Sequence, residues 1–171
     1  MKAAAEIGYP VVIKGTGVAH KSEGGLVAAN RRDDAEVQRA AADILGRGSS
    51  GLLVAKHESG GVELLLGVST DDVFGPVIVI GAGGVTAVRD VARAVLPVTE
   101  ATAARMLSGL RIAPLLDGWR GQPPVDRDAL VETVLRLAEL CTQGEIVELD
   151  INPLLARADG VIGLDALVRL G

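Results

Sequence analysis

The sequence predicts an α+β protein, built of mostly antiparallel strands with helices packed on them. Three observations predict it. Several short β-branched and aliphatic runs follow one another across brief turns rather than across long helical connections. Two segments, 33–48 and 126–144, carry a helical apolar stripe. Hydrophobic residues make up 49% of the 171, nearly all of them Ala, Val, Leu and Ile, which is ample material for a core.

Each element follows from local pattern. "MKAAAEIG" reads as the last turns of a helix stopped by Gly8, with Pro10 just beyond. This helix has no N-cap and no element before it, so we expect an N-terminal segment to be missing. "PVVIKG" is a buried strand and "GLVAAN" (25–30) a second. "DDAEVQRAAADILGRG" (33–48) is an amphipathic helix whose stripe is Val37, Ala40, Ala41, Ile44 and Leu45. "LLVAKHE" (52–58) and "VELLLGVSTD" (62–71) are strands, with Ser59, Gly60 and Gly61 as a hairpin-like link. Asp71 and Asp72 make a turn, and "GPVIVIGAGG" (75–84) is a strand running into a glycine cluster. "TEATAARMLSGL" (99–110) and "APLLDGW" (113–119) are short helices. Residues 126–144 form the longest helix. "IVELDINPLLAR" (146–157) and "GVIGLDALVRL" (160–170) are a final strand pair about the turn at Asp159 and Gly160.

Composition excludes some functions. The aromatics are Tyr9, Phe74 and Trp119, too few for a platform that stacks single-stranded nucleic acid, and the net charge of −5 also opposes nucleic-acid binding. A single cysteine, Cys141, excludes an internal disulfide framework and a Cys-only zinc site. Its helical spacing from Leu130, Val134 and Leu137 marks it as a buried structural thiol. No apolar run reaches ~18 residues and no signal-peptide core precedes the domain, so we expect a cytoplasmic protein with no membrane partner.

Four constellations could carry chemistry. Lys14 lies in an apolar strand. Its ammonium must reach a cleft or a partner, because an unpaired buried charge is unfavourable; a phosphate would serve, and an edge-strand lysine in water is the alternative. His20, Lys21 and Ser22 precede Gly24 and Gly25. Glycines allow a backbone nest around an anion, and the histidine could act as acid, base or phosphoryl acceptor; a solvated polar loop is the alternative. "GAGG" (81–84) falls short of a dinucleotide fingerprint, because the acid expected about twenty residues on would be Glu100, at a helix start. A tight strand exit near a ligand is the better reading. In the tail, Glu148, Asp150 and Asn152 share a strand face by alternation, and Asp165 can lie beside Asn152 if the last strands pair. Two oxygen ligands, completed by water and phosphates, suit Mg²⁺; an outward polar face is the alternative.

The ordered blocks "GYPVVIKGTGVAHKSEGGLVAAN", "GVELLLGVSTDDVFGPVIVIGAGG", "LLDGWRG" and "VELDINPLL" resemble the ATP-grasp portion of nucleoside-diphosphate-forming acyl-CoA synthetases, the acetate–CoA ligase (ADP-forming) beta type, over nearly the whole chain. Succinyl-CoA synthetase beta chains are similar at a greater distance. The resemblance implies an ATP-grasp fold of two α+β lobes, residues about 8–60 and about 61–171, lacking the fold's first strand and helix. It implies ATP/ADP and Mg²⁺ as cofactors, and a CoA-binding ligase alpha subunit or domain as partner. It implies that Lys14 contacts the nucleotide phosphates. It makes His20 a transient phosphoryl acceptor in a loop with Lys21, Ser22, Gly24 and Gly25. Val54, Ala55 and Lys56 correspond to the adenine hinge, Glu63 to the acid of the "GxE" block, and Asn152 and Asp165 to the magnesium ligands. The chain departs from the family where an acid usually follows the double glycine, since none occurs before Asp90, and where Ala55 stands in a hinge that usually holds Gln or Glu. The alternative to a catalytic subunit is a truncated, non-catalytic ATP-grasp module that binds nucleotide or a partner.

Overall fold

The computed structural model describes residues 2–17, 25–83 and 90–171. They fall into two compact units, Met1–Ser59 and Gly60–Gly171.

In the first unit, helix α1 (Lys2–Ile7) ends at Gly8 and leads into β1 (Val11–Thr16). This strand is central, with β2 (Val27–Arg31) and β3 (Gly51–Lys56) antiparallel on either side. Helix α2 (Asp34–Gly46) packs on the sheet. It starts where it does because the Asp33 side chain accepts the Glu36 N–H at 2.8 Å, while the Glu36 carboxylate accepts the Arg32 N–H at 2.8 Å. Val11, Ile13, Leu26, Val37 and Ile44 form the core. The helical stripe is narrower than expected: Leu45 is 46% exposed. Val37 and Ile44, seven residues apart, lie along one line and suffice to cover three strands, whereas Leu45 sits a further ~100° around the helix.

The second unit is a larger sheet. Its strands are β4 (Val62–Asp71), β5 (Gly75–Ala82), β6 (Val91–Val95), β7 (Ile146–Arg157), β8 (Gly160–Gly163) and β9 (Ala166–Leu170). The order is β6-β5-β4-β7, and both β8 and β9 pair with β7. Every pairing is antiparallel. Helices α3 (Glu100–Ser108), α4 (Ala113–Leu116) and α5 (Arg127–Thr142) complete the unit, α3 and α5 being capped by Thr99 and Asp126. The core gathers Leu64, Leu66 and Val68 of β4, Ile78 and Ile80 of β5, Leu149 and Leu154 of β7, and Leu130, Val134, Leu137 and Cys141 of α5. Cys141 is the structural thiol its spacing predicts, and burial pushes its pKa up.

Three expectations are corrected. The segments 52–58 and 62–71 do not form a hairpin: β3 edges the small sheet and β4 is central in the large one. Two apolar strands around a glycine pair look alike whether they pair with each other or with separate sheets. Strand β6 was not expected. Its sequence, VARAV, turns only Ala92 and Ala94 toward the core, which is too weak an alternation to stand out. The final strand is two strands, broken at Leu164 and Asp165. Pro153 has no N–H to give the ladder, so the chain bulges there, and the Leu164 N–H donates to the Pro153 carbonyl at 2.9 Å.

The β4–β5 turn carries a pH-dependent device. The Asp71 carboxylate accepts the N–H groups of Val73 (2.9 Å) and Phe74 (3.0 Å), as an Asx turn does. These bonds, Phe74 first, hold its pKa below the ordinary value. A depressed folded pKa contributes stability that is present above the unfolded carboxylate pKa and lost as pH falls through the folded one. Asp71→Ala should therefore lower the thermal midpoint at pH 7, and the difference should shrink toward pH 2.5. Melting curves at the two pH values check this.

Candidate functional site

Lys14 sits in the middle strand of the small sheet, opposite Val27 on β2 and Leu53 on β3. Val11 and Ile13 enter the core, so alternation turns Lys14 to the other face of the sheet. It is nevertheless only 8% exposed. Among the described residues, the polar or charged side chains buried to this degree are Lys14 and Ser49. The edge-strand lysine in water is thereby ruled out. His20, Lys21, Ser22 and Gly24 lie outside the described residues. Gly25 lies within them, and next to it the Leu26 carbonyl accepts the Gly15 N–H at 2.7 Å. On β3, Val54 packs its side chain against the core, so only its backbone can serve a ligand, while Ala55 is half-buried. Lys56 pairs with Glu58, Nζ to Oε1 at 3.2 Å.

Glu63 is exposed near the start of β4, between the core residues Val62 and Leu64, and so faces away from the core. It borders a cleft of about 780 Å³, large enough for a small molecule. The other walls are Gly60 and Gly61, Ala82 and Gly83, Ile112 just before α4, Leu115 within it, Trp119, Arg157 at the end of β7 and Asp159 in the turn that follows. Of the glycine cluster, Gly83 makes the tight strand exit that the sequence predicts. The Gly83 N–H donates to the Glu63 carbonyl at 2.8 Å, and a Cβ on Gly83 would lie 2.8 Å from the Glu63 carbonyl carbon. Only glycine fits without displacing the β4 backbone. Asp90, the first acid after this cluster, has its carboxylate engaged by the N–H groups of Arg111 (2.8 Å) and Ile112 (3.0 Å). It thus anchors the α3–α4 connection to the start of β6. The sequence suggests no role for Trp119 and Arg120 beyond packing and a subdomain contact. The Trp119 ring lines the cleft at 53% exposure, with the Arg120 guanidinium carbon 5.9 Å from its centroid. The signal that could have pointed there is an isolated tryptophan between Gly118 and Gly121.

The tail residues occupy the face of the large sheet away from the core. Leu149 and Leu154 are in the core, and Glu148, Asp150 and Asn152 alternate with them across the bulge. The Asn152 N–H donates to the Asp165 carbonyl at 3.2 Å, so the two expected ligands are brought side by side as the hairpin argument predicts. Burial, then the charges of Glu148 and Asp165, push the Asp150 carboxyl up. Arg169 pairs with Glu148, Nε to Oε2 at 3.1 Å. A hard cation suits this set, because the donors are oxygens and a positive charge would relieve the crowding of carboxylates. Among the described residues no three His, Cys, Asp or Glu side chains form a complete metal cage. Asn152 and Asp165 would supply two ligands, leaving the remaining positions to phosphate oxygens and water.

The antiparallel α+β architecture of the two units agrees with the comparisons to known proteins. Residues 1–170 match the family model of the ATP-grasp domain. The beta subunit of ADP-forming acetate–CoA ligase I of Pyrococcus furiosus is 34% identical, with 99% of this chain and 79% of that subunit covered. The ADP-forming 4-hydroxybutyrate–CoA ligase of Nitrosopumilus maritimus is 38% identical over 94% of this chain, which spans only 25% of that longer protein. Among solved structures, the dinucleotide-forming acetyl-coenzyme A synthetase 1 of Ca. Korarchaeum cryptofilum, with coenzyme A and Mg-AMPPCP bound, superposes with a TM-score of 0.86 at 36% identity, covering 99% of this chain and 80% of that one. That structure has its phosphohistidine segment pointing towards the nucleotide-binding site. The chain belongs to the ATP-grasp family, in the branch of the ADP-forming acyl-CoA ligases.

Proposed function

We propose that the chain is the nucleotide-binding, phosphoryl-relaying module of an ADP-forming acyl-CoA synthetase, working with a CoA-binding alpha subunit or domain. The overall reaction is acyl-CoA + ADP + Pi to acid + ATP + CoA, reversibly. The observation that carries this reading is the full-length similarity to a beta subunit. The burial of Lys14, on the face of its sheet turned away from the core, supports it. In this reading Lys14 neutralises charge on the nucleotide phosphates. Lys21, Ser22, Gly24 and Gly25 form the loop around them. Val54, Ala55 and Lys56 border the adenine, and Glu63 faces the nucleotide. Asn152 and Asp165 would hold Mg²⁺, which screens the phosphate oxygens when bound. His20, neutral, offers a ring nitrogen to the γ-phosphorus of ATP; ADP departs and the phosphoryl group stays on the imidazole, ready for transfer to the partner. In the opposite direction ADP recovers the phosphoryl group from His20.

The relatives described above are ligases, and nothing in them favours the non-catalytic alternative. Incubation with γ-labelled ATP and Mg²⁺, with and without an alpha subunit, tests the relay. We expect an acid-labile label on the wild type and none on His20→Asn. An unlabelled wild type that still binds ATP would sink the relay. Calorimetry showing no binding at millimolar nucleotide would favour an interaction module instead.

A further inference from the structure

Lys14 and Ser49, the two buried polar residues among those described, lie toward the end of β1: Lys14 stands two residues before Thr16, and Ser49 bonds Thr16. Ser49 belongs to the link between α2 and β3, and no motif marked it. Its hydroxyl oxygen accepts the Thr16 N–H at 2.9 Å, and its single O–H is within reach of the carbonyls of Gly51 (2.7 Å) and Thr16 (3.0 Å). One side chain thus reaches both backbone groups of the last residue of β1. Its neighbour reinforces the grip: the Ser50 N–H and hydroxyl both donate to the Thr16 carbonyl at 3.1 Å.

The fit around these serines is close. A Cβ on Gly15 would lie 2.8 Å from the Ser49 hydroxyl, and one on Gly17 would lie 2.0 Å from that of Ser50. Gly17 also has φ +79°, a conformation that side chains disfavour. The run from Gly15 to Gly17 therefore presses its backbone onto the serine pair. Lys14 is the next residue back, and the hydrogen bonds of Gly15 and Thr16 with their surroundings set the direction in which its strand ends. A hydroxyl buried in this way is more than local filler. Were it lost, the Thr16 N–H would be left without this partner in a partly buried position, and the strand end would shift to find another.

We propose that Ser49 is a positioning residue for nucleotide phosphates, acting through the β1 end that presents Lys14; this rests on the nucleotide reading above. The test is ATP·Mg²⁺ affinity of the full chain by calorimetry, well below the unfolding midpoint, alongside amide exchange at Thr16. Ser49→Ala should bind about tenfold more weakly, the effect of one buried hydrogen bond lost, and its Thr16 amide should exchange faster. Ser49→Cys keeps the shape with a poorer hydrogen-bonding group and should fall between, which decides the matter if the alanine variant does not fold. Ser50→Ala should bind like the wild type, because the Ser50 N–H still reaches the Thr16 carbonyl. A Ser49→Ala variant with a lower melting point but unchanged affinity in its folded form would show a purely structural role and overturn the proposal alone. A wild type that binds no nucleotide would overturn the nucleotide reading and this proposal with it.

Discussion

Replacing Lys14 by methionine should weaken ATP·Mg²⁺ binding by about tenfold to a hundredfold, the range expected for losing one hydrogen-bonding charge from a phosphate site. Folding should survive the change. Lys14 is buried on a central strand between β2 and β3, and methionine has nearly its length without its charge. Replacing a whole buried ion pair by apolar residues is often neutral or stabilising, whereas removing one member alone destabilises. Stability and affinity are therefore read separately, the affinity on samples that are folded. Calorimetry and urea titration on the same preparation measure both. If the variant loses stability but keeps its affinity, the lysine serves the fold and not the nucleotide.

The largest effect on stability should come from Leu66→Ala. Leu66 is fully buried on β4, the strand between β5 and β7, opposite Ile80 and Ile151. The core beneath it is closed by Leu130 and Val134 of α5. Truncation removes the transfer energy of the lost atoms and leaves a cavity that a central strand cannot collapse to fill. A loss of about 2–5 kcal/mol is expected, against a total of roughly 5–15 kcal/mol for an ordinary domain. Leu66→Met, which keeps the volume, should lose less than about 1.5 kcal/mol. Trp119, the sole tryptophan, reports unfolding of this unit by fluorescence in urea. Equal losses for the two variants would mean that packing at this position is not what holds the sheet.

Elements with a strong period were legible in the chain. The α5 stripe of Leu130, Val134, Leu137 and Cys141 is buried as its spacing requires, and β4 and β7 run from Val62 to Asp71 and from Ile146 to Arg157, as the apolar runs suggest. Elements whose inward residues are small were not legible, β6 above all, because alanine barely separates a buried position from an exposed one. Candidate site residues were legible where an ionisable group interrupts an apolar run, as at Lys14, Asp150 and Asp165. Ser49 was not, since a serine beside a glycine turn looks like any polar loop residue.

The sequence by itself determined the class of elements, the α+β composition, the buried lysine strand and the pairing that sets Asn152 beside Asp165. Each of these depends on spacing within a short stretch of chain. The tertiary structure alone decided that β3 and β4 belong to different sheets, that the last strand breaks opposite Pro153, that Asp90 anchors a turn, and that Ser49 fastens the end of β1. These depend on partners 20 or more residues away for Asp90 and 33 for Ser49. Local periodicity cannot specify such contacts, because they form only when separate hydrophobic faces have already been packed together.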